Sequence, residues 1–199
     1  MTTTGQRLGV LGGTFDPPHA GHLVAAVNVR HELDLDRVLL VVANDPWQKS
    51  AHRPVTPAAD RLAMVEALVR DIDGLEASSI EIDRGGASYM VDTLAELAAS
   101  DPAGRRFLIV GSDAAAGLTT WNRFHELPTL ATLVLVDRPG IGTTMPPEGW
   151  EFERVAIPRL DISSTDLRER AADGRPLEGL VPAPVISVIR ERRLYRGAP

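Results

Sequence analysis

Cysteine is absent from the 199 residues, which removes disulfides, thiolate nucleophiles and thiolate-bound zinc or iron–sulfur centres. Lysine is nearly absent: Lys49 is the only one, and the remaining positive charge is arginine. Aromatic residues make up 5% of the chain, too few for the interleaved stacking platform of a single-strand nucleic-acid binder. Positive charge is in deficit, with 21 basic against 27 acidic residues and a formal charge of −6. That balance argues against a surface built to neutralise the phosphates of a duplex, and leaves small anions open as ligands. No apolar run approaches the ~18 residues a spanning helix requires, so no membrane association is expected. The opening stretch Met1–Arg7 has no basic segment leading into an apolar run, so no secretory signal is expected and the cytoplasm is the expected location.

What the chain does contain is a foldable composition, 44% hydrophobic and 24% charged. Its length suits one domain spanning residues 1–199, with a small C-terminal helical part from about residue 162. Short apolar runs ending in turn residues predict strands at Arg7–Leu11, Arg37–Ala43, Leu75–Asp83, Arg105–Val110 and Thr132–Asp137, with an edge strand at Phe152–Ile157. Helical periodicity lies between them. It predicts helices over Leu23–Leu33, from Thr56-Pro57-Ala58 with a capping hydroxyl, over Tyr89–Ala99 capped by Ser88, over Ser164–Ala172 and over Pro184–Leu194. Pro139–Trp150 reads as a Gly/Pro-rich surface excursion. Alternating strands and helices predict an α/β fold with a doubly wound, mostly parallel sheet, whose ligands sit at the strand C-terminal ends.

The first predicted strand runs into Gly12-Gly13-Thr14-Phe15-Asp16-Pro17-Pro18-His19-Ala20-Gly21-His22, and then into a helix. Two glycines allow close backbone approach, and a helix N-terminus favours an anion. The run is neither a dinucleotide fingerprint nor a Walker loop. His19 and His22 share one face and could both donate to one phosphate. On spacing alone they read first as incidental to a Gly/Pro turn, and second as half of a metal pair, for which Asp16 is the only nearby acid. A second element, Ile162-Ser163-Ser164-Thr165-Asp166-Leu167-Arg168, places hydroxyls at another helix start and an arginine one turn in. Two anion sites on one sheet suit a polyphosphate.

The paired runs G-G-T-F-D-P-P-H-A-G-H and I-S-S-T-D-L-R resemble the nucleotidyltransferase superfamily with the H-x-G-H signature, which has a Rossmann-like fold. Within it the chain is similar to bacterial nicotinate-mononucleotide adenylyltransferases, through Asn44-Asp45-Pro46-Trp47-Gln48-Lys49, Arg61-Leu62-Ala63-Met64, Ser88–Leu94, and Gly111-Ser112-Asp113 with Trp121. The likeness runs from about Arg7 to Arg168. It implies that His19, His22 and Arg168 are catalytic, and that Gly12, Gly13, Thr14, Phe15, Gly111, Asp113, Ile162, Ser163 and Ser164 contact ATP. It implies an acceptor side of Asn44, Lys49, Ser88, Tyr89, Met90, Trp121 and Asn122. Met90 stands where the family usually has threonine, and Gln48 where a histidine often precedes the lysine. Taken one at a time these residues have plainer readings: Trp121 as core, Tyr89 as a helix staple, Asp113 as a turn residue, Lys49 as solvated, Arg61 as a snorkelling arginine.

The resemblance implies transfer of AMP from ATP to nicotinate mononucleotide, giving deamido-NAD and pyrophosphate. Mg²⁺ would be held mainly by the ATP phosphates, with no metal site of the protein's own. The implied partners are these small molecules, with no nucleic acid and no membrane, and a homo-oligomer is left open. Two alternatives share the signature: pantetheine-phosphate adenylyltransferase, and a nucleotide sensor that has lost turnover.

Overall fold

Leucine- and valine-rich runs form the strands, and the segments between them coil into helices. The computed structural model describes residues 5–50, 53–137 and 145–196, apart from the side chains of Gln48, Ser50, Ser112 and Asp113. In chain order these are β1 (Arg7–Gly13), α1 (Ala20–Glu32), β2 (Arg37–Val42), the single turn α2 (Trp47–Ser50), α3 (Ala58–Val69), β3 (Leu75–Ser78) and α4 (Ile80–Arg84). They continue with α5 (Met90–Ser100), β4 (Arg105–Gly111), α6 (Ser112–Ala115), α7 (Leu127–Leu130), β5 (Thr132–Asp137), β6 (Phe152–Ala156), α8 (Ser164–Ala172) and α9 (Ala183–Glu191). The six-stranded sheet has the order β3-β2-β1-β4-β5-β6, and the pairs β1–β4, β4–β5 and β5–β6 are parallel. This is the doubly wound order, in which direction reverses beside β1 and ligands bind past the strand carboxyl ends. The inner strands are buried over consecutive residues, Val38–Val42, Phe107–Val110 and Leu133–Val136, as strands covered on both faces must be. No helix among the described residues is long and apolar enough to cross a membrane.

Several boundaries differ from the sequence expectation, each for a local reason. β3 stops at Ser78 instead of reaching Asp83, because two serines redirect the backbone. The Ser78 hydroxyl accepts the Ile80 N–H at 3.4 Å, and the Ser79 hydroxyl donates to the Asp83 carboxylate at 2.7 Å, closing α4. α3 and α5 have no side-chain cap: Pro57 and Tyr89 occupy the cap positions. The hydroxyls expected there serve distant partners, Thr56 the Asp16 carboxylate and Ser88 the Asn44 N–H at 2.8 Å. α1 begins three residues early, at Ala20, and α9 ends at Glu191, followed by Arg193 and Tyr195 at positive φ. α8 has its expected bounds, with Ser163 accepting the Asp166 N–H at 3.2 Å. Of the expected excursion Pro139–Trp150, residues 139–144 lie outside the described residues.

The chain packs as two compact units. One comprises residues 1–12, 25–39 and 89–159, with Val10, Val29, Leu94, Ile109 and Val134 at its centre. Its Arg7 guanidinium donates to the Leu33 carbonyl at 2.8 Å and lies 4.7 Å from the centre of the Phe107 ring. The other comprises residues 13–24, 40–88 and 160–199, with Phe15, Leu40, Met64, Leu167 and Val185 buried. There α3 packs on α9, and Arg192 reaches Asp60 at 2.6 Å.

Candidate active site

In the second unit the glycine-rich run turns sharply after β1. Phe15 takes φ 51° with its ring buried against Gly13, where a Cβ would approach the ring to 2.9 Å. A side chain at position 13 would therefore unseat Phe15. The same logic explains the glycine between the histidines: a Cβ on Gly21 would sit 3.0 Å from Nδ1 of His19. The two imidazoles lie 3.8 Å apart, and the His22 ring meets the Phe15 ring edge-on at 5.0 Å.

The start of α1 spends backbone donors on the protein itself. The His19 N–H donates to Nδ1 of His22 at 3.2 Å, and the Ala20 N–H to the Leu180 carbonyl at 3.0 Å. The first bond fixes a tautomer. With Nδ1 accepting, the neutral His22 ring carries its proton on Nε2 and is a directed donor there. The phosphate-binding capacity the sequence assigned to bare N–H groups thus shifts toward side chains.

Asp16 and Arg61 organise the loop around those histidines. Asp16 is 1% exposed. Its carboxylate accepts from the Arg53 guanidinium at 2.7 Å and the Tyr195 hydroxyl at 2.7 Å, with Thr56 as a third donor. Burial alone would push this carboxyl up, but the hydrogen bonds from Thr56, Tyr195 and Arg53 outweigh it and hold it below the ordinary aspartate value. Arg61 is also 1% exposed. It donates to the carbonyls of Thr56 (2.7 Å), Thr14 (2.9 Å), Ala43 (2.6 Å) and Asn44 (3.0 Å). It is no snorkelling arginine: one cation ties the glycine-rich loop, the end of β2 and the start of α3. Burial pushes its guanidinium below the usual arginine range while the Asp16 carboxylate pulls it back.

α8 clamps the same loop from the other element singled out in the sequence. The Ser164 hydroxyl donates to the Pro17 carbonyl at 2.9 Å. Arg168 donates to the Asp16 carbonyl at 2.8 Å and to the Thr165 hydroxyl at 3.2 Å. Ile162 and Ser163 precede the helix, Ser163 as its cap. The structure therefore brings Gly13, Thr14, Phe15, His19, His22, Ser164 and Arg168 into one hydrogen-bonded neighbourhood. Asn44 and Ser88 meet beside it through the bond already given and through the Asn44 amide, which donates to the Gly86 carbonyl at 2.8 Å. Lys49 stands exposed on α2. In the loop from Asn44 to Pro57, Ala51 and His52 lie outside the described residues.

The other unit holds a second group. Met90 begins α5, and its terminal methyl lies over Gly12, close enough that a Cβ there would meet it. Trp121 is half-buried and Asn122 exposed at the end of a 3₁₀ turn, Leu118–Thr120. Arg123, at φ 46°, ion-pairs with Asp92 in the first turn of α5 and lies 3.6 Å from Glu126. That pair links the Trp121 turn to the helix that starts beside Tyr89 and Met90. Gly111 ends β4 with open space at its α-carbon, and Asp113 follows in α6.

Sequence reasoning missed Arg53, Tyr195 and the structural use of Asp16, and it quoted Arg61 in the Arg61–Met64 run without its carbonyl partners. The signal for Asp16 was its place inside the run; Tyr195 carried none, lying 179 positions away.

Comparison with known proteins agrees with this geometry. Residues 10–170 match the cytidylyltransferase-like family. A Streptomyces coelicolor protein named "Probable nicotinate-nucleotide adenylyltransferase" is 46% identical over 190 residues, covering 94% of this chain and 100% of that one. A Corynebacterium kroppenstedtii protein of the same name is 44% identical over 197 residues, covering 98% and 93%. The solved nicotinic acid mononucleotide adenylyltransferase of Plasmodium falciparum, complexed with NaAD, superposes with a TM-score of 0.80 over 96% of this chain and 97% of that one. At 15% identity that likeness is one of fold. The H-x-G-H loop, the clamping α8 and the full-length relatives agree: this chain belongs to the nicotinate-nucleotide adenylyltransferase family of cytidylyltransferase-like proteins.

Proposed function

We propose that the chain, acting as one nucleotidyltransferase domain in the cytoplasm, transfers the adenylyl group of ATP to nicotinate mononucleotide, releasing pyrophosphate and forming deamido-NAD for NAD biosynthesis. The observation that carries this reading is the His22 ring, whose Nδ1 accepts the His19 N–H so that the neutral ring donates through Nε2, together with an arginine bonded to a carbonyl of the same loop. An oxygen of the acceptor phosphate attacks the α-phosphorus in line, and the bond to the bridging oxygen of the β-phosphate breaks. The acceptor is already anionic, so no general base is required and catalysis reduces to alignment and charge neutralisation. His22, His19 and Arg168 would stabilise the charge gathering on pyrophosphate. Gly12, Gly13, Thr14, Phe15, Gly111, Asp113, Ile162, Ser163 and Ser164 would line the ATP side.

Nucleotidyltransferases of this type generally use Mg²⁺. Among the described residues no three His, Asp or Glu side chains gather into a ligand set, and the Asp16 oxygens already accept from Arg53, Thr56 and Tyr195. That chemistry fits a metal brought in on the triphosphate, where it neutralises phosphate charge.

Nicotinate mononucleotide would be recognised by Asn44, Lys49, Ser88, Tyr89, Met90, Trp121 and Asn122. Backbone donors at the start of α5 and near Trp121–Asn122 favour a carboxylate over an amide. The partners are then two small molecules, with no nucleic acid or membrane. Pyrophosphate release with ATP and a panel of phosphate acceptors tests the proposal. Nicotinate mononucleotide should far exceed nicotinamide mononucleotide, and phosphopantetheine should give nothing. Trp121→Ala should weaken both mononucleotides in similar proportion, since a flat apolar face does not distinguish them. Equal or better use of the amide acceptor would overturn the assigned product.

A further inference from the structure

The chain's described C-terminal segment does not trail away after α9. It turns through Arg193 at φ 54° and Tyr195 at φ 60°, a conformation that side-chain-bearing residues adopt at a cost and keep only where other contacts hold them. What holds Tyr195 is the loop from Thr14 to His22 and α3: its hydroxyl donates to Oδ1 of Asp16 at 2.7 Å and lies 3.8 Å from Sδ of Met64. The salt bridge between Arg192 and Asp60 anchors the same hook on α3.

Asp16 has two outputs. Its carboxylate collects Tyr195, Thr56 and Arg53, and its main-chain carbonyl receives Arg168. The next carbonyl, that of Pro17, receives Ser164, and His19 follows two residues later. We propose that Tyr195 is a positioning residue for adenylyl transfer, acting through Asp16 to set where Arg168 and the two histidines stand. This rests on the reaction proposed above. Tyr195 contacts no reacting atom in this scheme; a hydroxyl beyond α9 fixes a carboxylate, and the carboxylate fixes the loop. Misplacing catalytic groups by a fraction of an ångström is costly in rate even when binding survives.

The charged and polar groups facing the Asp16 carboxylate are Arg53 and Thr56 from the 44–57 loop, Tyr195 from the C-terminal hook, and, through the field, Arg61 of α3 and Arg168 of α8. Removing the tyrosine donor raises the Asp16 pKa. An activity that needs Asp16 ionised is lost as pH falls through that pKa, so the variant should lose activity at a higher pH than the wild type.

The test is Tyr195→Phe in the full chain, which deletes the hydroxyl and keeps the ring. The expected result is a kcat lower by about ten- to a hundredfold, a KM for ATP within about threefold, an unfolding midpoint little changed, and an acid limb of the kcat profile moved upward. The imidazole ¹⁵N signals of His19 and His22 should also shift in the nucleotide-free protein, a readout independent of turnover. A folded variant with wild-type kcat, pH profile and imidazole signals overturns the proposal. So does a variant that fails to fold, because the hydroxyl then maintains the fold and not the site. A wild-type chain that releases no pyrophosphate with any acceptor refutes the assigned reaction, and the imidazole signals then decide the role of Tyr195 alone.

Discussion

The loop from Thr14 to His22 and the turn from Trp121 to Arg123 both carry residues proposed for the site, but they are built differently. The loop is tied by buried or part-buried hydrogen bonds from Arg61, Ser164 and Arg168 to its carbonyls and from Arg53 and Tyr195 to its aspartate. The turn rests on short-range backbone bonds and on the exposed Arg123–Asp92 pair. A triphosphate presents the same oxygens in every turnover, and its donors act only if they are fixed before the charge develops. A mononucleotide acceptor is recognised by ring face and edge groups, which tolerate a surface that adjusts. The rigid half and the adaptable half thus follow the chemistry each would serve.

Arg61→Ala tests the rigid half most severely. It strips donors from four carbonyls and removes one of the cations in the field of the buried Asp16, so a stability loss of about 3–5 kcal/mol is expected in denaturant unfolding. A loss under about 1 kcal/mol would mean that the loop is not organised through Arg61. His22→Ala should come next, lowering kcat by ~10²–10³-fold while ATP affinity changes far less, since a donor aimed at developing charge acts in the transition state. An unchanged kcat in the folded variant would remove His22 from the chemistry. The smallest effect belongs to the adaptable half. Arg123→Ala should cost roughly 0.2–1 kcal/mol of stability, as exposed pairs do, and raise the mononucleotide KM severalfold with the ATP KM unchanged. If it instead lowers kcat as far as His22→Ala, the contrast between the two halves collapses.

Much of this was legible in the chain itself. The strands announced themselves as leucine- and valine-rich runs, and α8 has the bounds its capping serine and following glycine indicate. The histidine pair and the I-S-S-T-D-L-R run marked two elements that the structure joins through Asp16 and Pro17. What stayed hidden were side chains whose partners are remote in sequence. Thr56 and Ser88 look like helix caps because capping is a local rule, yet tertiary partners claim both hydroxyls. Arg61 looks like any arginine on an apolar helix until the carbonyls that converge on it are seen. A local pattern predicts local bonds, and these contacts, apart from that of Arg61 with Thr56, are not local.

The hook at Tyr195 also bears on how the protein is made. Asp16 leaves the ribosome 179 positions before the tyrosine that completes its setting, an interval of roughly 10–35 s at ordinary elongation rates. The nascent chain can form strands and helices well before the loop around Asp16 is finished. Until Tyr195 arrives, the loop around Asp16 lacks one of its fixed points, so a change that disturbs the hook would be felt 179 positions earlier in the sequence.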